Sequence, residues 1–533
     1  MDGSFRRVCK YLHEHLLGAR MNFGRMPSRY FLPLELSVLF VLLLLPLGYR
    51  LAFEIDFEIL WGAGYRSTFG QIPYRDYGMP IGPVPAWILA GWFATISGSV
   101  SSLRYLDLIA DVLAAGAFWL IARELRLDGV TRFFSTAIFI VTFSDKLCLP
   151  FYNSWVVTPM LVGTFLTLRA CRPDATGLRS LIILSSAAGF VLGLAIFVKQ
   201  DTGVLAVGLS LTLFLYNIRV RSMPLTGVFA FSLAVLMTTL AILSVVDRES
   251  FAYWFDHGQH AGGARLGQIF QGIFSEFGRL KISFILFAGL AFAHLAKHQP
   301  AGGRIHEAAI VVCGVTMISL VAGATSGRSI QTTQYFLAFG ALVFFEFAGL
   351  LTRSRMLLPM ALSLALMFSV PFVPQPLVLF DPLIHPRKLS LGGKTMSLAS
   401  DAGLKAFGDV YLTDETIAAI LNMKSWDLSR RPCSVLNLSE LAPVEAELGV
   451  EPCRGVPLWT HLGVTLYPHE VDRYVRHIES KAFEGLIYAE KKTTLELRGS
   501  KIRDAIERNY VSERCVESYN DSDRLICFMK PKK

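Results

Sequence analysis

The sequence has few charged residues for its length. Of its 533 residues, 17% are Asp, Glu, Lys or Arg, whereas 53% are hydrophobic, and the mean hydropathy is +0.46. It also has no glycine-rich phosphate loop, no Ser-His-Asp signature, no cysteine spacing typical of zinc and no internal repeat. This composition excludes an ordinary soluble enzyme and predicts a polytopic membrane protein.

The charge is distributed unevenly along the chain. Residues 381–533 contain 22 basic and 22 acidic residues, so the net charge of +9 belongs to the first 380 residues. There the basic residues are scattered over short loops and form no patch, which favours orientation charge at the inner membrane face over a nucleic-acid footprint. We therefore expect the lipid bilayer, and no nucleic acid, as a partner.

The apolar runs predict about eleven transmembrane helices. Residues 1–30 are basic and predict a cytoplasmic segment. Residues 31–53 predict an uncleaved first helix, with a removed signal peptide as the alternative. The later spans are expected at 103–122, 133–147, 151–168, 180–198, 203–217, 225–246, 281–296, 307–323, 334–351 and 355–373. The segment 84–98 is too short to cross and fits the membrane interface.

The loops between these spans follow the positive-inside rule if residue 1 is inside. In that register, five segments share the outer face: residues 54–102, the Lys199-Gln200 turn, residues 247–280, the turn 326–335 and the C-terminal segment. This assignment depends on the spans 133–147 and 203–217, because losing either one alone would reverse the inside–outside orientation of every later loop. We expect a bacterial inner-membrane protein with a transmembrane domain at 31–374.

Residues 381–533 have the pattern of a soluble α/β domain on the outer face. Short apolar runs such as DVYLTD, SVLNLS, GLIYAEK and LICFMK predict strands, and ETIAAILNM and HEVDRYVRHIES predict helices. The segment contains four of the eight cysteines. An outward-facing domain favours one or two disulfides, most simply Cys433 with Cys453 and Cys515 with Cys527. Four free thiols are the alternative.

A polar segment, residues 54–83, lies between two strongly apolar runs. It contains four acids close to the membrane, and its glycines and prolines predict a re-entrant loop path. The acids are Glu54, Asp56, Glu58 and Asp76, accompanied by Arg66 and Arg75. Acids in such a position can neutralise a helix end, carry protons or ions, or act as a base or metal ligand. Asp76 beside Arg75 could also be an ion pair that holds the turn.

The motif GQIPYRDYGMPIGP, from Gly70 to Pro83, follows an acid that opens the first outer loop. This combination resembles the GT-C class of polytopic glycosyltransferases. The resemblance is closest to the bacterial subgroup that includes rhizobial lipopolysaccharide-core transferases, and is more distant to protein O-mannosyltransferases and aminoarabinose transferases. It implies an α-helical membrane fold with a C-terminal soluble α/β domain, a polyprenyl-phosphate sugar donor and a lipid or glycan acceptor of the cell envelope.

The resemblance also implies roles for individual residues. The first-loop aspartate of the class is a catalytic acid or base, and that role transfers to Asp56, with Glu58 and Asp76 as further candidates. Many members have adjacent acids, whereas here Phe57 separates them. Expected substrate-binding residues are Tyr74, Arg75, Lys199, Gln200, Arg328, Gln331, Gln334 and Tyr335. A divalent cation, Mg or Mn, could bind at Asp56 and Glu58, since some members of the class use one.

Two other functions compete with this hypothesis. A lipid-linked sugar flippase or transporter needs polar residues inside the helices, and Asp107 and Asp111 lie one turn apart in one span. They could line a cavity or pack against Arg104. A surface-polysaccharide polymerase is also an outer-face transferase, but residues 247–280 lack the arginine-rich loop expected of one.

Overall fold

The computed structural model describes residues 28–48, 51–52, 57–79, 81–127, 129–143, 152–172, 177–255, 304–325, 390–391, 394–429, 431–439, 441–456, 458, 468–491, 500–517 and 524–533. Its first part is helical: α1 Ser28–Leu44, α2 Phe57–Thr68, α3 Val84–Thr95, α4 Leu103–Glu124, α5 Gly129–Phe143, α6 Tyr152–Trp155, α7 Val157–Ala170, α8 Leu178–Ile196, α9 Gln200–Arg221, α10 Thr226–Val245, α11 Arg248–Phe255 and α12 Arg304–Thr325.

Within those ranges, four helical segments are long and apolar enough to cross a membrane. They are Val100–Glu124, Leu178–Ile196, Gln200–Arg221 and Thr226–Val245, and three shorter apolar segments are Leu32–Gly48, Val84–Thr95 and His306–Ser319. These helices coincide with predicted spans, apart from the short segment at Val84 that was expected at the interface. The predicted spans 281–296, 334–351 and 355–373 lie outside the described residues.

The membrane helices approach one another closely at small residues. A Cβ added at Gly193 of α8 would lie 2.8 Å from Thr238 Cβ of α10, and one at Gly189 would overlap the Phe231 carbonyl. Glycine at these positions lets the two backbones pack without intervening side chains, which stabilises helix pairs in lipid.

One buried ion pair joins the first helix to a later one. Glu35 of α1 accepts hydrogen bonds from Arg132 of α5 at 2.6 and 2.9 Å and from Trp119 Nε1 of α4 at 2.8 Å. The Glu35 side chain has no exposed surface. A buried carboxylate requires such partners, because an unpaired charge away from water is costly.

The polar segment after the first helix differs from its prediction. Its glycines and prolines indicated an irregular re-entrant path, but residues 57–68 form α2, and irregular backbone begins only at Phe69. Gly64 allows this helix to pack on α3, since a Cβ there would lie 2.5 Å from Leu89 Cβ and 2.9 Å from Phe93. The turn-forming residues act after α2, between Gly70 and Pro83.

The C-terminal part is a two-sheet α/β domain, as predicted. It contains β2 Ser390–Leu391, β3 Lys394–Leu398, β4 Val410–Thr413, α13 Asp414–Lys424, β5 Val435–Leu438, α14 Pro443–Leu448, α15 Pro468–Glu479, β6 Gly485–Lys491, α16 Lys501–Asn509, β7 Tyr510–Glu517 and β8 Arg524–Pro531. The sequence pattern identified β4, β5, β6, β8, α13 and α15. It missed β7, in which five consecutive residues are exposed and no apolar alternation is visible.

Local capping explains where these helices begin and end. The side chain of Thr413 accepts from Thr416 N–H at the start of α13, and Ser500 accepts from Arg503 N–H at the start of α16. Helix α14 begins with Pro443 and ends at Gly449, whose φ of 67° suits a glycine.

One sheet connects the membrane part to the C-terminal domain. A short strand, β1 Leu51–Ala52, pairs in parallel with β4, giving the strand order β1-β4-β3-β2. Val100 and Ser101 then donate backbone hydrogen bonds to Ala406 and Phe407 at 2.7 and 3.3 Å. Both ends of the first outer segment therefore contact the C-terminal domain, so the two lie on the same side of the helices.

The second sheet has the order β5-β6-β8-β7. Helices α15 and α16 cover it through a core that includes Tyr474, Ile478, Ile502 and Ile506. Both expected disulfides are present, Cys433–Cys453 and Cys515–Cys527. The alternative of four free thiols is therefore wrong for this structure.

Candidate active site

The first outer segment folds into a tight turn over residues 71–79. Ile72 N–H donates to the Asp76 carboxylate at 2.8 Å, Asp76 N–H donates to the Ile72 carbonyl at 2.9 Å, and Tyr74 N–H donates to the Tyr77 carbonyl at 2.9 Å. Tyr74 has a φ of 69°, which is uncommon for a bulky residue. The surrounding hydrogen bonds hold it in this conformation.

Asp76 is the centre of this turn. Arg75 contacts its carboxylate at 2.8 Å and Arg454 of the C-terminal domain contacts it at 3.6 Å. Burial alone would raise the pKa of Asp76, but the hydrogen bonds from Arg75 and Ile72 N–H and the nearby arginine charges hold it below its usual value. These contacts favour the interpretation in which Asp76 stabilises the turn as a carboxylate.

Tyr74 and Arg75 point in different directions from the same turn. Tyr74 is 1% exposed, its hydroxyl donates to the Ile81 carbonyl, and its ring meets Phe251 of α11 edge-on at 5.0 Å. The Arg75 side chain is 50% exposed. Of these two predicted substrate-binding residues, only Arg75 offers a solvent-accessible side chain.

Lys199 is buried at the end of α8. Its Nζ donates to the Ala322 carbonyl of α12 at 3.1 Å and lies 3.3 Å from the Asp201 carboxylate. Only 6% of the residue is exposed, so it does not extend into solvent as a snorkelling lysine would. Gln200 is half-buried and begins α9.

Three segments that the sequence predicts on the outer face meet beside Lys199, and we call this contact region the outer junction: residues 71–84, 197–201 and 248–255. Val84 N–H donates to the Phe197 carbonyl at 3.2 Å. A Cβ at Gly82 would overlap that carbonyl, so only glycine allows this approach. Phe251 contacts both Tyr74 and Phe197, with ring centroids 6.1 Å apart in the second pair.

The remaining predicted residues lie outside the described part of the chain or carry no described side chain. Asp56 lies outside the described residues, and Glu58 lies within α2 but its side chain is not described. Arg328, Gln331, Gln334 and Tyr335 also lie outside the described residues. Their assignments stay predictions. The structure adds that α2 begins at Phe57, the residue that follows Asp56.

Polar residues are buried between α2 and the C-terminal domain, and the sequence predicted none of their contacts. Arg66 is 5% exposed and Gln71 is 1% exposed, and both bond to the segment around Cys453. Glu445 of α14 is also buried, with 5% of its surface exposed. A single arginine on a largely apolar helix was the available signal for Arg66, but its partner is nearly 400 residues away.

The intramembrane acid Asp107 has a structural contact. Trp155 Nε1 donates to its carboxylate at 3.0 Å, and Asp107 is 3% exposed. This bond ties α4 to α6 and gives Asp107 a packing role, so it offers little support for a transport pathway.

Among the described residues, no group of three or more His, Cys, Asp or Glu side chains could hold a metal ion. The expected cation ligands Asp56 and Glu58 are not among the side chains described. A cation at these two acids therefore stays a prediction.

Comparison with solved structures identifies the fold. The chain superposes on ArnT from Cupriavidus metallidurans bound to undecaprenyl phosphate with a TM-score of 0.53 and 13% identity, over 94% of this chain and 98% of that one. Apo ArnT matches with the same TM-score and coverage at 14% identity. The chain has a GT-C fold. No protein-family model and no curated protein matches the sequence.

The GT-C fold confirms the predicted architecture of a multi-pass membrane protein with a C-terminal strand-containing domain. The superposition covers nearly all of both chains, so it includes that domain as well as the membrane helices. In this fold the first outer segment, the turn at Lys199 and the C-terminal domain are neighbours, and the hydrogen bonds described above join them.

Proposed function

We propose that this protein transfers a sugar from a polyprenyl-phosphate donor to a lipid or glycan acceptor of the cell envelope. The observation that carries the proposal is the likeness in fold, over 94% of the chain, to an enzyme whose structure contains undecaprenyl phosphate. A polar, folded outer segment held against apolar helices suits a reaction between a membrane-embedded donor and an acceptor at the membrane surface.

In the proposed mechanism Asp56 acts as the base. It removes the proton of an acceptor hydroxyl, and the oxygen then attacks the anomeric carbon of the donor sugar. The bond between that carbon and the donor phosphate oxygen breaks, leaving a polyprenyl phosphate whose negative charge needs cationic partners. Lys199 and the exposed Arg75 belong to the outer junction, and Arg328 is the third predicted cation. We assign these three to the phosphate.

The proposed location is the bacterial inner membrane, with the N-terminus in the cytoplasm and the C-terminal domain in the periplasm. Two disulfides in that domain support this orientation, because disulfides persist in oxidising compartments. Contacts between the domain and the first outer segment support a position of the domain on the proposed reaction side.

The experiment is a transfer assay with purified protein in nanodiscs, extracted polyprenyl-phosphate sugars and an envelope-lipid acceptor fraction. We expect Asp56→Asn to abolish transfer while donor binding persists, since the amide is isosteric but cannot accept the proton. Asp76→Asn is the matched control. Its amide oxygen can still accept from Ile72 N–H, so activity should be reduced but measurable.

Transfer by Asp56→Asn at the wild-type rate would remove Asp56 from the mechanism. If wild-type protein binds the donor but transfers nothing to any envelope fraction, the transferase proposal fails and lipid-linked sugar transport becomes the better hypothesis. Adding EDTA to the same assay tests the cation predicted at Asp56 and Glu58, because chelation abolishes transfer only if a divalent ion takes part.

A further inference from the structure

A short stretch of the C-terminal domain, which we call the strap, is hydrogen-bonded to α2 and to the turn that follows it: residues 450–456 and Leu458. Among the described residues, six hydrogen bonds connect the strap to α2 and the following turn, and the longest runs from Gln71 Nε2 to Glu451 Oε1 at 3.5 Å. Tyr65 Oη donates to the Val450 carbonyl at 3.3 Å, Gln71 Nε2 to Pro452 at 2.8 Å, Arg66 Nη1 to Cys453 at 2.6 Å, Gly455 N–H to Asp76 at 2.5 Å, and Leu458 N–H to Gly78 at 3.1 Å.

Arg66 makes the bond that matters most energetically. Its guanidinium is buried, lies 5.5 Å above the Tyr77 ring and has the Cys453 carbonyl as its shortest hydrogen-bond acceptor. Gln71 Oε1 accepts a weaker bond at 3.4 Å. If the strap moves, a buried cation loses its principal acceptor, and that is far more costly than losing a surface hydrogen bond.

A disulfide fixes the position of that carbonyl. Cys453 lies in the strap, and its partner Cys433 lies two residues before β5. The backbone N–H of Cys433 also donates to the Glu451 carbonyl at 3.0 Å. Because β5 pairs with β6 in the second sheet, the strap is covalently attached to the rigid part of the domain.

The second disulfide does not attach the strap to the domain. Cys515 and Cys527 face each other on β7 and β8, which are already paired along their length by backbone hydrogen bonds. Neither residue belongs to the strap. The domain therefore contains two disulfides, one beside the first outer segment and one within a hairpin that is held together without it.

We propose that Arg66 and the Cys433–Cys453 disulfide form a positioning element for sugar transfer: through the Cys453 carbonyl they fix α2, the helix that follows Asp56 in the sequence, against the C-terminal domain. The inference rests on the proposed function. Asp56 directly precedes the first residue of α2, so displacement of the helix displaces the base. Misplacement of a catalytic group by about 1 Å can cost roughly 100-fold in rate.

The test compares two double variants of the full-length protein in nanodiscs, Cys433→Ser/Cys453→Ser and Cys515→Ser/Cys527→Ser. Amide hydrogen exchange over residues 57–79 reports the attachment of the segment without requiring activity. We expect exchange there to rise about tenfold in the first variant and to match wild type in the second. We also expect the first variant to lose about 10- to 100-fold in kcat, with little change in donor KM.

Arg66 gives a second test with both disulfides intact. Arg66→Met should repeat the exchange and kcat changes of the first double variant, whereas Arg66→Lys retains a charged donor and should recover most of kcat. Recovery by lysine separates positioning from a general loss of packing.

Unchanged exchange at 57–79 in both the Cys433/Cys453 variant and Arg66→Met overturns the proposal, even if activity falls. Equal effects of the two disulfide variants also overturn it. Failure of the proposed function gives a different result. The amide exchange of the variants then changes as expected, but the wild-type protein itself transfers no sugar.

Discussion

Glu445 provides a direct test of the interface between α2 and the C-terminal domain. It lies in α14, which approaches α2 so closely that a Cβ at Gly62 would be 3.3 Å from Ala442 Cβ. Glu445 is 5% exposed. Burial raises its pKa to about 7, although the positive charge of Arg66 opposes the shift. The carboxylate is therefore destabilised where it lies.

The sign of the pH dependence follows from this shift. The pKa of Glu445 rises from 4.5 in the solvated state to about 7 in the folded state. The contribution of protonated Glu445 to the stability of the folded interface is complete below pH 4.5 and is lost as the pH rises through 7. From pH 5 to pH 8, the free energy needed to open the α2–α14 interface should fall by about 2–3 kcal/mol. This corresponds to a loss of protection against amide hydrogen exchange of roughly 30- to 150-fold.

Glu445→Gln should remove this dependence, because the amide has the same shape and no charge to desolvate. Amide exchange over residues 443–450, corrected for the intrinsic pH effect, measures the opening energy in the full-length protein. The control is Glu415→Gln, a change at an exposed glutamate of α13, which should show the wild-type pH dependence. If Glu445→Gln is no better protected than wild type at pH 8, the burial argument is wrong.

Two further substitutions test packing in the membrane part. Gly82→Ala places a methyl group on the Phe197 carbonyl and should lower both thermal stability and transfer, whereas Gly91→Ala meets no atom within 4 Å and should change neither. Glu35→Ala leaves the Arg132 side chain, which is 15% exposed, without its carboxylate, at a cost of about 3 kcal/mol. Thermal unfolding in detergent should register this loss, and an unchanged midpoint would contradict the assigned ion pair.

Much of the architecture could be predicted because it depends on local patterns. Apolar runs of sufficient length located the apolar helices among the described residues, since lipid leaves few alternatives to a helix. Alternating apolar residues located β4, β5, β6 and β8. The spacing of the four C-terminal cysteines suggested both disulfides, which join cysteines 20 and 12 residues apart.

The contacts around the proposed site could not be predicted, because they join distant parts of the chain. The loop path predicted for residues 54–83 did not include the helix at residues 57–68, in which Gly62 contacts Ala442 and Leu458 and Gly64 contacts α3. Lys199 was expected to bind substrate, and no local pattern in the sequence indicated that it is buried against the Ala322 carbonyl of α12.

The sequence by itself determined that this chain lies in a membrane, that a polar segment follows its first helix and that an α/β domain ends it. These are consequences of hydrophobic periodicity and composition, which act over tens of residues. Only the tertiary structure decided what the polar segment touches. Arg66 bonds to a carbonyl 387 positions away, and such a pairing depends on three-dimensional packing that no local pattern encodes.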